Sequence, residues 1–124
     1  MYQQHAFVCI LKNYKAIESL LLMFVEQGIT GGTVIDSRGM GQILCQDIPI
    51  FMHIREHFPD SDSDSHMLLS VVSSDQLELC FELAERLTAR QERDEPVAQS
   101  GLAFAFPVAQ MRKLGEAAQA SSNS

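Results

Sequence analysis

Residues Gly28 to Gln42 read GITGGTVIDSRGMGQ, and the fold is decided by how this stretch is parsed. Gly28 closes a helix that precedes it, as glycine does at a C-cap. Gly31 to Ser37 (GGTVIDS) then reads as a strand, which stops in Arg38-Gly39-Met40-Gly41, where two glycines admit backbone angles that other residues resist. Upstream, Asn13 is an N-cap candidate, and apolar residues at Ile17, Leu20, Leu21, Phe24 and Val25 fall at helical spacing. Before that helix, Ala6 to Leu11 (AFVCIL) is apolar and β-rich, a first strand.

Downstream, residues Gln42 to Ser65 follow no single period. They mix an apolar stretch, Ile48 to Met52, with His53, Arg55, Glu56 and His57, and end in the hydrophilic DSDSDS of Asp60 to Ser65. A loop of this length is functional or disordered. Met67 to Val72 (MLLSVV) predicts a third strand. Ser74 or Asp75 is placed to cap a second helix, with Leu77, Phe81, Leu83, Ala84 and Leu87 inward, fading near Arg90. A charged connection, Arg90 to Pro96, leads to a fourth strand at Leu102 to Phe106 (LAFAF), and Ala117 to Ser124 is a small-residue, Ser-rich tail expected to be disordered. The order strand, helix, strand, strand, helix, strand implies two right-handed crossovers. That is an α+β, ferredoxin-like βαββαβ domain over 1–116, with a long loop at 42–65 and a tail at 117–124. Both helices would lie on one face of an antiparallel sheet. Phe7, Cys9, Val34, Leu69, Val71, Phe104 and Phe106 are more apolar groups than a solvated face would carry, so the other face is expected to bury against further copies of the chain.

Composition narrows the function. The 124 residues carry 16 acidic and 9 basic side chains, a net charge of -7, which offers no positive reservoir for nucleic acid or an anionic membrane surface. Three cysteines with no CxxC pair indicate neither a disulfide framework nor a structural zinc site, as suits a reducing cytoplasm. The longest apolar run, Leu20 to Val25, is far below the roughly 20 residues needed to span a bilayer, and the MYQQHAF start lacks the basic region of a signal peptide.

The Gly28 to Gln42 run resembles the signature of the PII signal-transduction proteins, the nitrogen-regulatory PII superfamily. Two further segments resemble the same family: VVSSDQLE (Val71 to Glu78) at a strand-to-helix step, and GLAFAFPVAQMRKLGE (Gly101 to Glu116) at the last strand and beyond. The resemblance implies a homotrimer with an adenine nucleotide in the cleft between subunits. It also implies a long loop that changes shape with the ligand and docks on a target, a transporter or a metabolic enzyme. Carried over by position, Thr33 would help hold the base and Val71 would line its pocket. Arg38, Gly39, Met40, Gly41 and Gln42 would form the phosphate-side loop, and Lys113 would reach a phosphate from the adjacent subunit. Two departures bear on the ligand. The glycine-aspartate-glycine-lysine turn of ATP-binding members reads Ala98-Gln99-Ser100-Gly101-Leu102, and Glu92, Asp94 and Glu95 lie close in sequence. Like charges repel a triphosphate, so AMP or ADP is favoured over ATP. The tyrosine that some members modify in the long loop is missing.

In that loop Ile48, Ile50, Phe51, Met52 and Phe58 either pack on their own subunit or form the partner contact, since Met and aromatic groups are adaptable anchors. His53 and His57 stand four apart and, with Asp60 and Asp62, would make a metal site if the segment were helical; this is the alternative reading, a CutA-type metal-binding or stress-related trimer. No nucleophile motif surrounds Cys9, Cys45, Cys80 or the histidines, so a regulatory protein is expected rather than an enzyme. Cys9 and Cys80 read as core residues, and Cys45, just past the glycine loop, reads as an inert loop residue and is the one thiol to test for redox sensitivity.

Overall fold

A computed structural model describes residues 3–44, 65–94 and 101–115. Four strands, β1 (Gln4–Leu11), β2 (Thr33–Ser37), β3 (Ser65–Ser73) and β4 (Gly101–Pro107), form an antiparallel sheet in the order β2-β3-β1-β4. Two long helices, α1 (Tyr14–Glu26) and α3 (Ser74–Asp94), pack on one face, and a short turn of helix, α2 (Met40–Gln42), follows β2. This is the ferredoxin-like βαββαβ arrangement that the sequence predicts. No helix among the described residues is long and apolar enough to cross a membrane.

The chain ends its elements by recognisable local chemistry. Asn13 caps α1, its side-chain oxygen accepting from the Lys15 N–H at 2.8 Å. At the other end Gly28 takes φ +82°, the Ile29 N–H donates to the Phe24 carbonyl and the Gly28 N–H to that of Val25. That is a Schellman cap, and it turns Ile29 back into the core beside Phe24. At α3 the capping pair is Ser73 and Gln76 rather than Ser74 or Asp75: Gln76 Oε1 accepts from the Ser73 N–H and hydroxyl at 3.2 and 3.3 Å. The helix runs to Asp94, past the expected end near Arg90, because Gln, Glu and Arg continue a helix well and no Gly or Pro intervenes before Pro96.

Phe7, Cys9 and Leu11 of β1 and Leu68 and Val72 of β3 meet Ile17, Leu20 and Phe24 of α1 and Cys80, Leu83 and Leu87 of α3 in a continuous core. Phe7 sits at its centre, with ring contacts to Phe24 and Phe81 at 6.0 and 5.0 Å. The register decides what lies on the opposite face. Ala6 pairs with Val71 and Phe106, Val8 with Leu69 and Phe104, and Ile10 with Leu102, and paired residues share a face. Leu69, Val71, Phe104 and Phe106 therefore lie on the helix-free face as expected. Phe7, Cys9 and Val34 do not: one residue of offset puts them on the helix side. Along the free face Ile35, Val71, Leu102, Phe104 and Phe106 are all exposed, by 41 to 61%.

Candidate functional site

The residues that the sequence groups into one site fall at two places on a single protomer. The first is a cleft of about 570 Å³ between the Gly28–Thr33 turn, β3 and the segment after β4. Thr33, Val71 and Lys113 all line it, together with Gln4, Gln76 and Met111. Its geometry follows from the chain. The Schellman cap at Gly28 delivers Gly31 and Gly32 into the turn, and the buried Ser70 hydroxyl pins that turn by donating to the Gly31 carbonyl. Gly32 packs so close to Leu68 that a Cβ would stand 3.2 Å from its Cδ1. On the far wall the Val108 N–H donates to the Gln4 carbonyl at 2.9 Å, extending the β4–β1 ladder by one bond and aiming the next residues, Met111 and Lys113, at the cleft. Among the described residues the lining is apolar at Leu69 and Val71, with polar groups from Gln4, Thr33 and Gln76 and one cation, Lys113, a mixture suited to a flat, partly polar ligand.

The second place is the opposite end of the sheet. Gly39 lies there in a pocket of about 310 Å³ with Lys12, Ser65, Gly101 and the apolar Ile10, Leu11 and Leu102. From Thr33 to Ser37 is roughly 13 Å of strand, and Gly39 is two residues further on. The glycine loop also differs from its expected form. Gly39 has φ -78° and ψ 164°, ordinary extended backbone, and Met40 to Gln42 continue as a turn of helix. The positive-φ glycines among the described residues are Gly28 and Gly115. The Arg38-Gly39-Met40-Gly41 segment is thus built without left-handed glycine angles, and Gly39 serves by having no Cβ: one would lie 3.3 Å from Lys12 Nζ. Met40 is exposed and Gln42 buried. Neither they nor Arg38 line either pocket.

Lys12, Gln4, Gln76 and Met111 were not singled out by sequence. A lysine after a strand and a glutamine in a helix's first turn carry no motif; only the fold makes them neighbours of Gly39 and Thr33. Gln76 alone had a signal, as the last residue of the Ser73-x-x-Gln76 capping pattern.

Between these places, on the helix side of the sheet edge, His66 Nδ1 lies 3.0 Å from Asp36 Oδ1 and its ring meets that of Tyr14 edge-on at 5.1 Å. This bridge ties β2 to β3 close to where the 42–65 stretch leaves and returns. Cys9 and Cys80 are fully buried, and burial pushes both thiols up to about 11, which removes them as nucleophiles. No group of three or more His, Cys, Asp or Glu among the described residues is placed to hold a metal. His53, His57, Asp60, Asp62, Cys45 and the apolar Ile48, Ile50, Phe51, Met52 and Phe58 lie outside the described residues, as do Glu95 and Ala98 to Ser100.

No protein-family model matches the sequence, and no curated protein matches it. Solved structures do. A protein of unknown function from Pediococcus pentosaceus ATCC 25745 superposes with a TM-score of 0.62 at 11% identity, over 92% of this chain and 100% of that one. Arabidopsis thaliana PII bound to citrate superposes with a TM-score of 0.63 at 17% identity, over 91% of this chain and 84% of that one. At these identities the likeness is one of fold: a PII-like, ferredoxin-like α+β sheet with two long helices on one face.

Proposed function

We propose that the protein is a PII-like cytoplasmic regulator, not an enzyme, which binds a small effector and signals through residues 42–65. The observation that carries this reading is the cleft itself. Thr33, Val71 and Lys113 are far apart in sequence and belong to three different segments, yet they line one cavity of about 570 Å³. The effector proposed is an adenine nucleotide, AMP or ADP rather than ATP. Its base would rest on Val71 and Leu69 with Thr33 and the glutamines at its polar edge. Because the Gly39 end of the sheet is too distant to reach the same ligand within one protomer, the site is completed between subunits, in a homotrimer closed over the exposed Ile35, Val71, Leu102, Phe104 and Phe106. The fold's likeness to a PII protein that holds a small anion, citrate, supports a small-molecule ligand. The output is contact with a target protein, a transporter or a metabolic enzyme.

Titration calorimetry with AMP, ADP and ATP tests the reading. Binding of AMP or ADP in the micromolar range, weakened about tenfold by Lys113→Ala through loss of a charged hydrogen bond, is the expected result. Absence of heat with all three removes the nucleotide.

A further inference from the structure

Lys12 occupies an unusual position for a lysine. It follows β1 directly, is half-buried, and makes no hydrogen bond or ion pair with any of the described residues. Its ammonium lies at the sheet end where all four strands contribute: Leu11 from β1, Gly39 just past β2, Ser65 from β3, and Gly101 and Leu102 from β4. Two glycines shape this space. A Cβ at Gly39 would stand 3.3 Å from Lys12 Nζ and 3.9 Å from Ser65 Oγ, so the bare backbone is what leaves room beside the ammonium. At Gly101 a Cβ would collide with Leu11 Cδ2 at 2.5 Å and the Ile10 carbonyl at 2.9 Å, so β4 can close against β1 here only as glycine.

Among the described residues, the pocket so formed holds one charged side chain, the Lys12 ammonium, and no Asp or Glu lines it. Ser65, itself buried, adds a hydroxyl, while Ile10, Leu11 and Leu102 give the pocket an apolar wall, which lowers the local dielectric and strengthens charge pairing beside it. In a chain of net charge -7, a partly desolvated ammonium without a carboxylate among these neighbours has one complementary occupant, an anion. An ammonium with three donors, a hydroxyl and a glycine backbone that permits close approach suit a tetrahedral, multiply charged oxyanion.

We propose that Lys12, with Ser65 and the glycine backbones of Gly39 and Gly101, forms a phosphate-binding pocket at the end of the sheet, Lys12 supplying the ammonium that the Gly101-Leu102 step lacks. Where the phosphate belongs to a nucleotide, this deepens the reading above and rests on it. Where it is free phosphate or pyrophosphate, it does not.

The full chain is titrated with pyrophosphate, AMP and adenosine, followed by calorimetry and by the amide NMR signals of Gly39 and Gly101. Lys12→Met, which keeps the stem and removes the charge, is compared with Lys12→Arg, which keeps the charge, each checked for an unchanged melt. Saturable pyrophosphate binding at Gly39 and Gly101 is expected, weakened about tenfold or more by Lys12→Met and restored by Lys12→Arg. A nucleotide source adds the same loss for AMP with adenosine unaffected. If pyrophosphate fails to bind, or binds Lys12→Met as well as the parent, the pocket is overturned even where AMP still fills the Thr33 cleft. If pyrophosphate binds through Lys12 but no adenine compound binds, the pocket stands and the nucleotide reading falls.

Discussion

Gly39 and Gly101 face the same pocket, yet their missing side chains do different work. At Gly101 a methyl group meets a backbone carbonyl and a packed leucine inside contact distance, and neither can retreat without opening the β1–β4 ladder. Gly101→Ala should therefore cost roughly 1–3 kcal/mol, as overpacking does, measured by denaturant unfolding. Gly39→Ala meets only the far end of a flexible lysine and keeps an allowed φ. Its stability should change by less than about 0.5 kcal/mol, while pyrophosphate binding beside Lys12 weakens. A left-handed glycine loop would reverse that ranking, with Gly39 the costlier site. The buried thiols give a second residue-level test. Cys9 and Cys80 are neutral in the fold up to about pH 11, whereas an unfolded cysteine ionises near 8.5. The folded state holds its protons longer, so stability is fully present below about pH 8 and declines between there and pH 11, by on the order of 3 kcal/mol for Cys9. Unfolding free energies measured across this range should show the fall, and Cys9→Ala should remove the Cys9 share of it and leave that of Cys80. At this scale the family resemblance grouped Thr33, Val71 and Lys113, and the fold sets all three on one cleft. The sequence concealed Lys12, because an ammonium becomes a site only through neighbours 27 to 89 positions away in the chain.

At the scale of elements, helix α1 was legible at both ends because its signals are local: Asn13 accepts from Lys15 two residues on, and Gly28 closes a bond pattern spanning Phe24 to Ile29. Helix α3 was less so. Ser73, Ser74 and Asp75 all suit an N-cap by type, and the choice fell to Ser73 because its N–H and hydroxyl are both within reach of Gln76 Oε1, while the Ser74 N–H and hydroxyl turn instead to the Gln3 carbonyl. Replacing Gln76 with alanine leaves the Ser73 donors without that acceptor and should cost about 1 kcal/mol, a drop of a few degrees in melting temperature. Gln76→Glu keeps the acceptor and should melt close to the parent. Since Gln76 also lines the Thr33 cleft, a ligand that reads its amide would separate the two variants from the parent in affinity while only alanine lowers stability.

At the scale of the whole molecule, the order of elements was legible and the identity of the free face only partly so. Alternation along a strand says which residues share a face, but which of the two sets faces the helices is fixed by pairing between strands distant in sequence. Phe7 opposite Ser70 and Ala105 belongs to the core side, and Val8 opposite Leu69 and Phe104 to the free side. The free side then carries exposed aromatic rings at Phe104 and Phe106 beside Ile35, Val71 and Leu102, a contiguous apolar patch of the kind that monomers rarely leave in water. In the proposed trimer, burying it between copies would also bring the Thr33 cleft of one protomer towards another's sheet end. The two consequences are coupled, and one experiment reads both. Sedimentation of the full chain should give three times the 13.8 kDa chain mass. The pair Phe104→Asp and Phe106→Asp should give monomers, since a carboxylate at the centre of a desolvated interface costs several kcal/mol. The helix-side core does not include these residues, so the monomer should keep its helical circular dichroism. AMP binding should vanish with the trimer if the ligand spans two subunits, and persist in the monomer if the Thr33 cleft suffices alone.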